Sequence, residues 1–361
     1  MVYNVIGLMS GSSLDGLDIA YVQLTEVRGK WDFSILNAEC IPYTDEWHTL
    51  LKAAHTTTVS DFLKLNTSYG RYIGEQVMQF ISRHQLQHKV HFIASHGHTV
   101  FHDPASNTTF QLGDGASIAA LCGLPVINDL RAADVALGGQ GAPIVPIGDK
   151  MLFSDYTYLL NLGGIANLTV QGPDTPSMAF DVCPANQLLN ALAARLGKTM
   201  DEGGNIAATG KIIPQILDAL NNNPYYLQLP PKSLSNEAVA LMIQSVVSNN
   251  DYSIEDLLCT ASFHIAQKIV DALQMLSHND SSSLMLVTGG GAFNEFLTEA
   301  LRSLLANRNI TLIIPTPDVV KYKEALVMAL IGALRWREEE NVLHTVTGAT
   351  RNSVGGAIWL V

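Results

Sequence analysis

GLMSGSSLDGLDIA, residues 7–20, decides how this chain is read. Val5, Ile6, Leu8 and Met9 make a buried strand, and residues 10–16 a small-residue turn carrying three serines and Asp15. Asp18, Ile19, Tyr21 and Val22 then resume strand character, so the stretch is strand, tight turn, strand. Glycine lets backbone approach a ligand closely, while serine hydroxyls and free N–H groups supply donors. Such donors beside two carboxylates suit a phosphate chain that arrives with Mg²⁺, whose waters carboxylates hold. A plain acidic hairpin turn is the competing reading. The position at the start of the fold, and a counterpart further on, favour phosphate.

That counterpart is YLLNLGGIANLTV, residues 158–170, where Gly163 and Gly164 turn one strand into another. Two strand–glycine turn–strand hairpins about 150 residues apart suggest a duplicated fold, each half offering a phosphate-facing turn. At 361 residues the chain has room for two domains, each with its own core. Its 47% hydrophobic and 15% charged residues describe a well-buried globule. A net charge of −12 argues against nucleic acid and anionic membrane as partners. No apolar run reaches the ~18 residues of a membrane span, and no basic region precedes the first apolar residues, so no signal peptide is expected. Cys40, Cys122, Cys183 and Cys259 are scattered, as expected of free thiols in a reducing cytoplasm.

Between the two hairpins, residues 31–40 read as a strand and 60–87 as one long or kinked helix. A short strand at 90–94 is expected to run into SHGHTVFHD, residues 95–103, a polar segment at the carboxyl end of a strand, where α/β sheets bind ligands. His96, His98 and His102 invite a zinc site, but no fourth ligand lies at a recognised spacing. Histidines at a strand end more often hydrogen-bond a polar substrate or each other. Asp114 should cap a helix at 115–122. The strand 124–127 ends in NDLRAADVALGGQGAPIVP, residues 128–146. There Arg131 is a natural fork for carboxylate or phosphate, with a surface ion pair as the alternative, and the run 138–143 looks like a hinge or domain crossover.

Beyond the second hairpin, Asp181 ends a short strand directly before a helix. That suits a general base, or equally a helix cap. Cys183 is read as a packing residue. Residues 284–287 form a buried strand running into Gly289, Gly290 and Gly291, a glycine triplet suited to close approach by a nucleotide. The triplet matches neither a dinucleotide fingerprint nor a P-loop. A helix at 319–336 contains Lys323 and Glu324, and the tail is expected to end in a strand.

Together these pieces resemble the 1,6-anhydro-N-acetylmuramic acid kinases over nearly the whole length. The resemblance is carried by GLMSGSSLDGLD, SHGHTVFH, FQLGDGASIA, NDLRAADVALGGQGAPIVP, NLGGIANLT, FDVCPANQLLNALA, VTGGGAFN and the Glu324 helix, in that order. It implies an α/β fold of two RNase H-like, actin-like ATPase domains with a central nucleotide cleft. The expected domains are 1–131 plus 340–361, and 132–339. It implies opening of the anhydro ring by water at C1 while ATP phosphorylates O6, giving N-acetylmuramic acid 6-phosphate and ADP in peptidoglycan recycling. The family's base, in its FD-x-x-P-x-N motif, falls on Asp181, with Arg131 and Glu324 holding substrate and orienting the site. Gly11, Ser12, Ser13, Leu14, Asp15, Gly16, Leu17 and Asp18 would wrap ATP, Asp15 and Asp18 would hold Mg²⁺, and Gly163, Gly164 and Gly289 to Gly291 would complete the nucleotide site. His96, His98 and Asn186 would contact the sugar. Ser12 stands where the family more often has Thr, His98 where Gln is usual, and Val182–Cys183 where Thr–Gly is commoner. A homodimer is compatible with this reading. A simple sugar kinase without ring opening, or a non-catalytic ATP-binding sensor of muropeptide fragments, remain the alternatives.

Overall fold

The structure is a computed structural model that describes residues 1–11, 13–172, 175–230, 232–276, 282–306 and 308–361, without the side chains of 175–177, 236 and 245. It forms two compact units, Met1–Phe153 with Tyr322–Val361, and Ser154–Lys321.

In the first unit β1 (Val2–Ser10) pairs antiparallel with β2 (Gly16–Val27), and β2 with β3 (Lys30–Pro42). On its other side β1 runs parallel to β4 (Phe92–Asp103), which turns back antiparallel into β5 (Thr108–Leu112) and pairs in parallel with β6 (Val126–Asn128). β4 therefore does not end at residue 94. It continues through His96, His98 and His102 because β5 supplies a partner from His98 to Asp103. The helix Val59–Arg83 starts where the Thr58 side chain accepts from Asp61 N. It buries Leu65, Tyr69, Ile73, Val77 and Phe80, one stripe at helical spacing, against Ile6, Leu8 and Ile93 of the sheet. Each such aliphatic side chain contributes roughly 1.5–3 kcal/mol on burial.

The second unit repeats the plan. β7 (Tyr158–Leu162), β8 (Ile165–Gly172) and β9 (Thr175–Pro184) form an antiparallel meander, while β10 (Ser283–Thr288) runs parallel to β7 and β11 (Ile310–Ile313) parallel to β10. The strand orders β3-β2-β1-β4-β6 and β9-β8-β7-β10-β11 have the same sequence of pairings, so the duplicated hairpins mark two RNase H-like sheets. The helix Ile254–Gln274 buries Leu257, Leu258, Ala261, Ile265 and Ile269 in a core shared with Leu160, Leu168, Val182 and Val287.

The chain then returns to the first unit, where β12 (Ala357–Trp359) pairs with the edge of β6 and Trp359 Nε1 donates to Asn128 Oδ1 at 2.9 Å. The helix Pro317–Trp336 is kinked at Tyr322 (φ −115°, ψ 18°). Its residues Ala325 to Leu330 are all buried, and Gly7 leaves room for the carbonyl of Ala325, which any Cβ there would strike. Residues 132–153 and 322–339, expected in the second domain, accordingly group with the first unit.

The run 138–143 is not a crossover. It lies inside the first unit, where the fully buried Asp134 accepts from Gly141 N at 2.8 Å and from Thr347 Oγ1 at 2.7 Å. The changeovers fall at 153/154 and 321/322. No helix among the described residues is long and apolar enough to cross a membrane.

Candidate active site

In the first unit the turn after β1 is closed by Leu14 N donating to Gly11 O at 3.3 Å, with Leu14 in the left-handed region (φ 59°). Ser13 and Asp15 are exposed, whereas Gly16 and Leu17 are buried at the start of β2 and offer only backbone. Ser12 lies outside the described residues. Asp18 sits opposite Cys40 in the β2–β3 register. Burial raises its carboxyl pKa, a hydrogen bond from Cys40 opposes the rise, and Asp15 adds to it. Burial and Asp18 together push the Cys40 thiol up to about 12.

Arg131 is held from behind. Its Nε donates to His96 Nε2 at 2.8 Å and its Nη1 to the Gly141 carbonyl at 2.8 Å. His96 can accept at Nε2 only if Nδ1 carries the proton, and Nδ1 lies 2.9 Å from the Gly97 carbonyl that receives it. Burial and the Arg131 charge hold His96 down to about 3, so the ring is neutral. Glu324 follows the kink at Tyr322 on its helix. It keeps solvent contact, yet its crowded carboxyl is raised above the usual range by desolvation and by Asp18, against the pull of Arg131 and Lys323. Lys323 itself pairs with Asp149 at 2.6 Å.

The three histidines diverge: His96 to Arg131, His98 Nδ1 to Ser10 Oγ at 3.1 Å, and His102 Nδ1 to Thr109 Oγ1 at 3.1 Å. Among the described residues no three His, Cys, Asp or Glu side chains converge as a metal cage. Asp15 and Asp18 nevertheless fit Mg²⁺, which keeps most of its waters and needs only one or two carboxylates. Asp15 raises Asp18, and Asp18 raises Glu324, a run of negative charge that a cation would relieve.

In the second unit Asp181 lies within β9, opposite Asn167 of β8, three residues before the strand ends at Pro184. It caps no helix. Its Oδ1 accepts from Asn167 Nδ2 at 3.0 Å, and its Oδ2 from Leu234 N at 2.8 Å and Ser233 Oγ at 3.2 Å. Its backbone is gripped as well, its N donating to the Lys232 carbonyl at 3.0 Å and its O accepting from Tyr225 OH at 2.6 Å. Asn167 lies within the second hairpin motif but reads there only as strand, and Tyr225, Ser233 and Leu234 carry no motif, which is why sequence reasoning passed over them.

The Gly163–Gly164 turn is tied to the next helix, where Asn186 N donates to Gly163 O at 3.1 Å and Asn186 Nδ2 to Leu162 O at 3.0 Å. Asn186 thus braces the hairpin. It also faces the glycine triplet: Gly289 has φ 80°, and a Cβ on Gly291 would stand 2.7 Å from Leu162 Cβ and 3.1 Å from Asn186 Oδ1. Beside the triplet opens a cavity of about 570 Å³ lined by Asn190, Met200, Glu202, Gly290, Phe293 and Lys321, among others. Lys321 Nζ sits 5.7 Å from the Phe293 ring centroid. The volume and the aromatic wall suit a nucleoside.

The family model described as anhydro-N-acetylmuramic acid kinase matches residues 3–361. The anhydro-N-acetylmuramic acid kinase of Francisella tularensis subsp. novicida is 32% identical over 98% of this chain and 97% of its own. That of Actinobacillus pleuropneumoniae serotype 3 is 30% identical over 98% of both. Among solved structures, an activator of 2-hydroxyisocaproyl-CoA dehydratase from Clostridium difficile is 15% identical, with a TM-score of 0.47, over 94% of this chain and 97% of that one. A match running from residue 3 to residue 361, with relatives at 30–32% identity over 97–98% of each chain, means that the chain belongs to the anhydro-N-acetylmuramic acid kinase family.

Proposed function

We propose that the chain opens 1,6-anhydro-N-acetylmuramic acid with water and phosphorylates O6 from ATP, releasing N-acetylmuramic acid 6-phosphate and ADP. Family membership makes it an ATP-dependent kinase, and the arrangement around Asp181 carries the finer reading. Three donors fix that carboxylate, yet Oδ1 has accepted only one of them. Its remaining lone pair is the one that takes the proton of a water attacking C1. As the water oxygen bonds to C1, the C1–O6 bond breaks and O6 takes the phosphoryl group. Attack by an activated water on an acetal carbon parallels inverting glycoside hydrolysis.

Phosphoryl transfer needs positioning and charge neutralisation more than covalent chemistry. Gly11, Ser13 and Asp15 supply the phosphate-facing turn of the first unit, Gly163 and Gly164 that of the second, and Gly289, Gly290 and Gly291 the approach to the nucleoside. Arg131, locked by His96 and Gly141, holds an oxygen of the substrate, and Glu324 orients it. Asp15 and Asp18 would hold Mg²⁺, which when bound neutralises phosphate charge. His96, His98 and Asn186 are the polar residues we assign to the sugar side, with His96 and Asn186 acting through Arg131 and the Gly163–Gly164 hairpin.

The product places the enzyme in cell-wall recycling and amino-sugar catabolism, in the cytoplasm where ATP is available. The test is ATP turnover with and without sugar. Turnover that depends on 1,6-anhydro-N-acetylmuramic acid supports the reading; equal turnover without it, or a preference for a free sugar, contradicts it.

A further inference from the structure

A chain of hydroxyls runs through the first unit behind the phosphate-facing turn. Tyr69 OH lies 2.6 Å from Tyr43 OH, Tyr43 OH donates to Ser10 Oγ at 2.7 Å, and Ser10 Oγ lies 3.1 Å from His98 Nδ1. Tyr69 is fully buried, Ser10 and His98 nearly so, and Tyr43 half-buried. Ser10 is the last residue of β1, immediately before Gly11, and pairs with His98 across the β1–β4 register.

Counting protons gives this chain one direction. Tyr43 has a single proton, and it goes to Ser10. The buried Tyr69 hydroxyl lies 2.6 Å from the Tyr43 oxygen and also bonds the Ser10 side chain. With the tyrosines bonding Ser10 on one side, the Ser10 proton is directed to His98 Nδ1 on the other, at 3.1 Å. Reversing the Ser10–His98 link would turn the buried Ser10 proton back on the tyrosines that bond the same oxygen, which is costly. His98 Nδ1 is therefore an acceptor, and the neutral ring carries its proton on Nε2. Burial keeps both tyrosines protonated by raising their pKa values, and lowers that of His98. Nε2 has no partner among the described residues.

We propose that the Tyr69–Tyr43–Ser10 relay fixes His98 as its Nε2–H tautomer, making Tyr43 a positioning residue that presents an N–H donor to an acceptor oxygen of the sugar substrate. The substrate half rests on the reading of His98 as a sugar contact; the tautomer half does not. A ring free to exchange tautomers would offer a lone pair at Nε2 for part of the time, and an acceptor oxygen would be repelled by it.

The experiment has two arms on the full-length protein. In the first, long-range ¹H–¹⁵N correlation spectra read the imidazole tautomer, His98 being assigned by the signal lost in His98→Gln. The wild type should show a single Nε2–H pattern and Tyr43→Phe a mixture, with thermal melts confirming that the variant is folded. An Nδ1–H pattern in the wild type, or an unaltered one in Tyr43→Phe, overturns the relay whatever the substrate is.

The second arm is kinetic. Tyr43→Phe should raise KM for the anhydro sugar roughly 5-fold with kcat and the ATP KM little changed. In the His98→Gln background, where an amide donates without a tautomer, Tyr43→Phe should have no further effect. The same penalty in both backgrounds shows a merely structural Tyr43 and overturns the proposal. An intact tautomer signature with an unmoved sugar KM overturns the substrate contact.

Discussion

Arg131 Nε and His96 Nε2 are 2.8 Å apart, and the ring that accepts this bond donates from its other nitrogen to Gly97 O. The guanidinium is thus aimed by a neutral, buried histidine. Arg131→Lys keeps the charge but loses the fork, and His96→Leu keeps the fork but loses its brace. Both are expected to lower kcat/KM roughly 100-fold, about 2.7 kcal/mol of transition-state stabilisation, with the ATP affinity of the folded protein retained. Steady-state kinetics with each substrate varied in turn check this.

Acid should destabilise the protein through its buried histidines. His96 and His264 are both held down to about 3, His264 between Asn221 Oδ1 at 2.7 Å and Tyr226 OH at 3.2 Å. Below the ordinary pKa near 6.5 the unfolded chain binds a proton at each site and the folded protein does not. Stability therefore rises with pH from about 3 to about 6.5, and falls as pH is lowered through that window. Each ring contributes at most about 1.4 kcal/mol per pH unit. Urea unfolding at pH 7, 6 and 5 should show the slope, and His264→Gln should make it shallower.

The glycine triplet separates fold from ligand. A Cβ on Gly290 meets only Asn186 Nδ2, at 3.7 Å, whereas one on Gly291 strikes Leu162. Gly290→Ala is expected to leave stability within about 0.5 kcal/mol while raising the ATP KM. Gly291→Ala is expected to lose about 1–3 kcal/mol of stability through overpacking. Thermal melts alongside ATP titrations distinguish the two.

Asn167 and Ser233 hold Asp181 from opposite oxygens. Asn167→Ala should reduce kcat roughly 10-fold and leave the ATP KM unmoved, because it disturbs the base and not the nucleotide. Ser233→Ala should cost less, since Leu234 N still donates to Oδ2 at 2.8 Å.

Much of this was legible in the sequence. The small-residue turns after Met9 and at Gly163–Gly164 located both hairpins, and their likeness suggested the duplicated fold. Helical spacing of Leu63, Tyr69, Ile73, Val77, Phe80 and Ile81 located the long helix, although Leu63 proves exposed and Leu65 takes its place in the buried stripe. What could not be read were contacts made across the fold. β4 continues past residue 94 because β5 pairs with it, a tertiary cause absent from local pattern. The glycines at 138–143 looked like a hinge, but Asp134 and Thr347, far apart in the chain, pin them. Arg131 was visible as a fork, whereas His96 reads as a sugar contact at a strand end and not as the brace of Arg131. The donors on Asp181 come from three separate segments.

The most direct test of the central claim is product analysis in ¹⁸O-water, with 1,6-anhydro-N-acetylmuramic acid, ATP and Mg²⁺, for wild type and Asp181→Asn. The wild type should give a 6-phosphosugar labelled at C1, and the variant almost none. Unlabelled product, no phosphosugar, or an equally active variant would contradict water attack at C1 with Asp181 as its base.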